Sequence, residues 1–177
     1  MSLSDYQTAA VTGASSGIGA AVAHKLSRRG LKVHAIARRE DRLAQQTGCE
    51  IHVLDIRETE ALAALLGSLQ VDILVNNAGV GRGFGSLVNA DPIDIDCTLD
   101  TNVRAAVHAV RAVLPSMIER GTGHIVNVGS MAGLYPLSSA LYGASKGALH
   151  VLSMDLRLEL QGTGVRVTEI CPGRVRT

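Results

Sequence analysis

A doubly wound α/β domain on a parallel sheet is the fold this sequence predicts, and three observations predict it. Apolar runs of strand length alternate with segments of helical period. Runs such as Ile73-Leu74-Val75 and Ile125-Val126-Asn127-Val128 suit strands that helices cover on both faces. A cluster of glycines falls where the first strand gives way to the first helix.

The first predicted strand is Thr8 to Thr12. After the glycines, Ile18 to Arg29 carries Ile18, Ala21, Val22 and Leu26 at helical spacing and stops at Gly30, a residue suited to helix ends. Further strands are expected at Lys32 to Ala37, Ile51 to Leu54, Ile73 to Asn76, His124 to Val128 and Val165 to Ile170. The segment Asn102 to Glu119 carries a broad apolar stripe from Val103 through Val110 and Met117 to Ile118, and Pro115 is expected to bend it or end its regular hydrogen bonding. Tyr142 to Gln161 is similarly rich, with Ala148, Leu149, Leu152, Leu156 and Leu160. Both helices have apolar width to spare, which predicts a homodimer or homotetramer through residues 102–119 and 142–161. Packing against the sheet is the plainer alternative.

A length of 177 residues without repeat or linker predicts one domain over residues 1–177. The net charge of +1 gives no basic face for nucleic acid, and Arg28-Arg29 and Arg38-Arg39 are too short for a polyanion track. Cys49, Cys97 and Cys171 are odd in number and widely spaced, which argues against a disulfide framework and for a reducing compartment. No run of about 18 apolar residues occurs, so no membrane span is expected and a cytoplasmic protein is predicted. The histidines show no short metal-ligand spacing, so no metal site is predicted. Asp91 to Asp100 lacks the glycine and terminal Glu of a calcium loop, and Ser130 lacks the G-x-S-x-G of a nucleophile elbow.

Two groups of residues carry chemistry. Gly13, Gly17 and Gly19 let the backbone approach a pyrophosphate, the following helix start faces its charge, and Ser15 and Ser16 add donors. Tyr142 and Lys146, four residues apart, share one helix face, so the ammonium can sit beside the phenol and favour its ionised form. Such a phenol can move a proton to or from a carbonyl oxygen. Ser130, after the fifth strand, emerges at the carboxyl end of the sheet, where its hydroxyl can donate to a substrate oxygen.

The order Thr12 to Gly19, Asn76-Asn77-Ala78-Gly79, Ser130, Tyr142-x-x-x-Lys146 and Pro172-Gly173 resembles the single-domain branch of the short-chain dehydrogenases/reductases, from about Thr8 onward. The resemblance implies a Rossmann-like, NAD(P)-binding domain that interconverts a carbonyl and a secondary alcohol. Ser130 would polarise the carbonyl, Tyr142 transfer the proton, and Lys146 tune Tyr142 and hold the nicotinamide ribose. Asn102 would mark a helix irregularity that holds a relay water, or else serve as a cap. Asp55, Ile56, Asn77 and Gly79 would contact the adenosine side and Pro172, Gly173, Val175 and Thr177 the nicotinamide, with Ile18 a further cofactor contact. Asn76 is read as stabilising the sheet.

After the second strand the chain has Ala37-Arg38-Arg39 where an acidic residue would favour NAD; Arg38, with Arg39, predicts preference for NADP(H), with NAD(H) possible. Ser130 stands twelve residues before Tyr142, one fewer than the family's usual spacing. Relatives continue beyond Thr177 for roughly another 60 residues, through a substrate lid and a seventh strand, so a C-terminally truncated chain of reduced turnover is expected. A non-catalytic NADP sensor or partner-binding protein on the same fold is the alternative.

Overall fold

The computed structural model describes residues 2–82 and 85–175. Six parallel strands form one sheet in the order β3-β2-β1-β4-β5-β6: β1 Thr8–Thr12, β2 Lys32–Ala37, β3 Cys49–Val53, β4 Ile73–Asn76, β5 Gly123–Val128 and β6 Val165–Ile170. The helices are α1 Gly17–Ser27, α2 Glu40–Leu43, α3 Thr59–Ser68, α4 Pro92–Leu99, α5 Ala105–Glu119 and α6 Ala140–Glu159. The predicted α/β fold is therefore observed.

The two-sided apolar runs bury both faces of the sheet. Ala10, Ile36, Leu74 and Ile125 face a core completed by α3, α5 and α6 through Leu62, Val113, Met117 and Leu156. Ala9, Val11, Val33, Ala35 and Val75 point the other way, against Ala23, Leu31 and Leu43. Each fully buried Val, Leu, Ile or Met among them contributes about 1.5–3 kcal/mol relative to exposure. The chain builds outward from β1 to β3 and then returns to lay β4 on the other side of β1. That reversal opens a crevice at the carboxyl ends of β1 and β4.

Several boundaries differ from the expected ones. β3 begins at Cys49 rather than Ile51 because Glu50 pairs with His34, and its edge position leaves Ile51 and Val53 exposed. The segment around Asn102 is one π-helical turn, Asp100–Arg104, joining α4 to α5. α5 runs through Pro115 to Glu119. Pro115 removes the bond to the Arg111 carbonyl, and both residues line an open groove beside Leu114, Ile118, Leu152 and Leu156. None of the helices is long and apolar enough to cross a membrane among the described residues.

Candidate active site

The turn after β1 takes its shape from glycine. Gly13 and Gly17 have φ of 67° and 57°, the left-handed region that other residues reach at a cost. Gly13 is also closely packed, since a Cβ there would lie 2.8 Å from the Ala78 Cα. Asn77 Nδ2 donates to the Thr12 carbonyl at 3.0 Å, and Thr12 Oγ1 accepts from the amides of Asn77 and Ala78 at 3.1 Å each. The first turn and the segment after β4 are thus one rigid unit at the reversal point. Asn76 binds Asn127 at 3.0 Å inside the sheet, as expected of a residue that stabilises it.

A cleft of about 650 Å³ opens above this unit, within the size range of small-molecule sites. Gly13, Ser15, Ser16 and Ile18 line it from the first turn, and Arg38, Arg39, Asp55 and Ile56 from the ends of β2 and β3. Asn77 and Gly79 contribute from β4, Ser130 from β5, Tyr142 and Lys146 from α6, and Pro172, Gly173 and Val175 from the segment after β6. Gly17, Gly19 and Asn102 stand behind the wall. Thr177 lies outside the described residues.

One end of the cleft is cationic. Arg39 Nη2 donates to Ser15 Oγ at 3.0 Å and Ser16 Oγ at 2.6 Å, which brings its guanidinium over the start of α1. Arg38 is half-exposed, and its Nη1 is 3.6 Å from Asp55 Oδ2. The Asp55 carboxylate is engaged mainly by Arg57, with Nη2 at 2.6 Å and Nε at 3.0 Å, and those bonds hold it below the usual carboxylate range. Two arginines, two serine hydroxyls and a helix N-terminus suit a phosphate-bearing ligand.

The other end gathers the hydroxyls and the lysine. Ser130 Oγ accepts from the Ala132 amide at 3.1 Å, which starts the tight turn Met131–Gly133. That turn seats on α6, because a Cβ on Gly133 would stand 2.7 Å from the Lys146 carbonyl carbon. The shortened spacing between Ser130 and Tyr142 therefore still delivers both to the same cleft. Lys146 is 4% exposed, and its Nζ donates to the Val128 carbonyl at 2.8 Å. Burial pulls its ammonium down to about 8, against the raising influence of Glu169 and Cys171. It remains a cation at neutral pH.

Asn102 works behind this end. Its Oδ1 accepts from the Val80 amide at 2.8 Å, and its Nδ2 donates to the Val80 carbonyl and to Ser145 Oγ, both at 2.9 Å. The predicted irregularity is present, and the side chain clamps two elements rather than capping a helix.

Val80, Gly133, Ser145 and Glu169 support the site without a local signal that reveals it. Their roles come from partners distant in the chain, such as Val80 and Ser145 with Asn102. The acidic Glu169 beside a lysine could have been found only by knowing that β6 runs next to β5.

A Rossmann-like α/β protein with a polar cleft at its strand ends is thereby defined. A profile of the short chain dehydrogenase family matches residues 7–177. The NADP-dependent 3-hydroxy acid dehydrogenase YdfG of Escherichia coli K12 is 41% identical over 176 residues, covering 93% of this chain and 71% of the relative. Serine dehydrogenase from Escherichia coli superposes with a TM-score of 0.89 at 40% identity, covering 94% of this chain and 82% of that one. A metagenomic short-chain oxidoreductase in complex with NADP gives 0.90 at 38% identity, with 97% and 84% covered. The chain belongs to the short-chain dehydrogenase/reductase family of oxidoreductases.

Proposed function

We propose that this chain binds NADP(H) and interconverts a carbonyl and a secondary alcohol. The observation that carries the reading is a single cleft joining Arg38, Arg39 and the α1 N-terminus at one end to Ser130, Tyr142 and Lys146 at the other. When bound, the nicotinamide supplies or accepts the hydride. Ser15, Ser16 and Arg39 would hold the pyrophosphate side, Arg38 with Arg39 the 2′-phosphate, and Pro172, Gly173 and Val175 the carboxamide side.

In the reductive direction, Ser130 donates a hydrogen bond to the substrate carbonyl oxygen. Tyr142 gives that oxygen its proton, and in the oxidative direction takes it back. The buried Lys146 ammonium supplies the positive charge that the Tyr142 oxygen needs once the proton has left, and it holds the ribose. The π turn at Asn102 is the place for a water that reprotonates Lys146 from solvent. Short 3-hydroxy acids are the first substrates to assay, given the names of two relatives.

Subunit association uses α5 and α6. Its support is an apolar groove of about 330 Å³ between them, with Val107 and Ile118 on α5 and Val151, Met154 and Leu158 on α6 exposed.

The deciding experiment titrates the chain with NADPH and NADH by fluorescence, then follows NADPH oxidation with a panel of 3-oxo acids and ketones, alone and as a fusion to the C-terminal region of a relative. Tight NADPH binding with no turnover in either form would favour the sensor alternative. Absence of binding to either nucleotide would overturn the proposal.

A further inference from the structure

At the far edge of the sheet, away from the cleft, three side chains from β2 and β3 converge. His34 pairs in register with Glu50 and Ile36 with His52, so His34, Glu50 and His52 share one sheet face. His34 Nδ1 lies 2.9 Å from His52 Nε2 and 3.2 Å from Glu50 Oε2, and all three ligand-type atoms fall within 4.8 Å of one another. Two ligands held at about 2.1 Å from one tetrahedral ion stand about 3.4 Å apart, so the two separations from His34 Nδ1 need widening by only about 0.2–0.5 Å, and the third pair already lies within 4.8 Å.

We propose that His34 Nδ1, His52 Nε2 and Glu50 Oε2 form a site for one divalent transition-metal ion of the zinc class, with solvent completing its coordination.

The donor set fits that class. Two imidazole nitrogens with one carboxylate suit zinc, cobalt, nickel or copper, whereas magnesium and calcium select oxygen. The geometry is prepared from behind, because Lys32 Nζ holds Glu50 Oε1 at 3.0 Å and leaves Oε2 turned toward His34. His34 is 1% exposed and fixed in place, while Glu50 is exposed, so the ion has an anchored ligand and an open path. Both rings bind as neutral imidazoles with their protons on the outer nitrogens, so the contact between them is exchanged for two bonds to metal. Cys49 is not a ligand, since it packs on the opposite face against the core around α1. The ion straps β2 to the edge strand β3, just before both run into Arg38, Arg39 and Asp55.

The test uses untagged, chelator-treated protein and zinc chloride alone, followed by titration calorimetry and thermal unfolding. One ion per chain and a rise in Tm of several degrees are expected. Affinity should fall by at least about 10- to 100-fold in His52→Ala and Glu50→Gln, the loss that removing even a ligand's supporting partner brings, and His24→Ala, an exposed histidine on α1, should bind as the parent does. Should His52→Ala fail to fold by circular dichroism, Glu50→Gln on the surface carries the comparison. Undiminished binding in both variants, loss of binding in Cys49→Ser, or no binding and no shift in Tm would each overturn the proposal.

Discussion

Asn102 Nδ2 donates to Ser145 Oγ across 2.9 Å, and Ser145 in turn donates to the Tyr142 carbonyl at 2.8 Å. The same amide grips both backbone groups of Val80. One buried side chain thus fixes the helix that carries Tyr142 against the segment after β4 that lines the cleft. Four consequences of the geometry can be measured.

Replacing Asn102 with Ala strands the Val80 amide and carbonyl, and should destabilise the fold by roughly 2–4 kcal/mol while weakening NADPH binding. In a double-mutant cycle with Ser145→Ala by urea unfolding, a coupling of about 0.5–3 kcal/mol is expected. Strict additivity would show that the bond between them is incidental.

Tyr142→Phe should lower kcat by about 100-fold or more and leave NADPH affinity near that of the parent, because only the proton-transfer step loses its group. Unchanged turnover in a folded variant would end the proposed mechanism.

Arg38→Asp should reverse the preference for NADPH over NADH, since the new carboxylate repels a 2′-phosphate and accepts from a ribose hydroxyl. Arg39→Ala should weaken both nucleotides, because Arg39 sits over the α1 start that the two ligands share. If Arg39→Ala alone moves the preference and Arg38→Asp does not, the roles of the two arginines are exchanged.

Lys146→Met should abolish turnover yet stabilise the cofactor-free fold. In the unfolded chain the ammonium keeps its ordinary value near 10.5, whereas burial lowers it to about 8 in the fold. Below pH 8 both states are protonated and the burial penalty is present in full, roughly 3 kcal/mol. Between pH 8 and 10.5 the unfolded state binds more protons, so parent stability rises with pH on this account and the advantage of the Met variant shrinks. A Tm difference independent of pH would contradict the assignment.

Much of the fold was legible because local patterns and the final environment agree. Thr8–Thr12, Lys32–Ala37, Ile73–Asn76 and Val165–Ile170 are strands at their expected bounds, the last an alternation of apolar and polar residues that Pro172 and Gly173 follow. The central strand β4 shows why the signal is strong, for Ile73 and Val75 enter one core and Leu74 the other. The start of β3 is not legible because an edge strand needs little apolar sequence, and Cys49 and Glu50 read as loop until Val33 and His34 are placed beside them. Ser130, Tyr142 and Lys146, to which proton transfer is assigned by proposal, were marked by motif spacing, and the fold lines one cleft with all three. Their supports, Ser145 and Gly133, were not, because a serine facing an amide and a glycine facing a helix backbone look ordinary until two distant segments touch.

What the sequence settles by itself is the rhythm of strands and helices, the glycine turn at the head of α1, and the shared face of Tyr142 and Lys146, all properties of neighbours within one or two turns of chain. Folding alone decides that Arg39 reaches the serines of the first turn, that Asn102 joins Val80 to Ser145, and that His34 meets His52. Those pairings depend on strand order and register, and the order is set by how two apolar sheet faces are best covered, a condition on the whole chain that no single segment encodes.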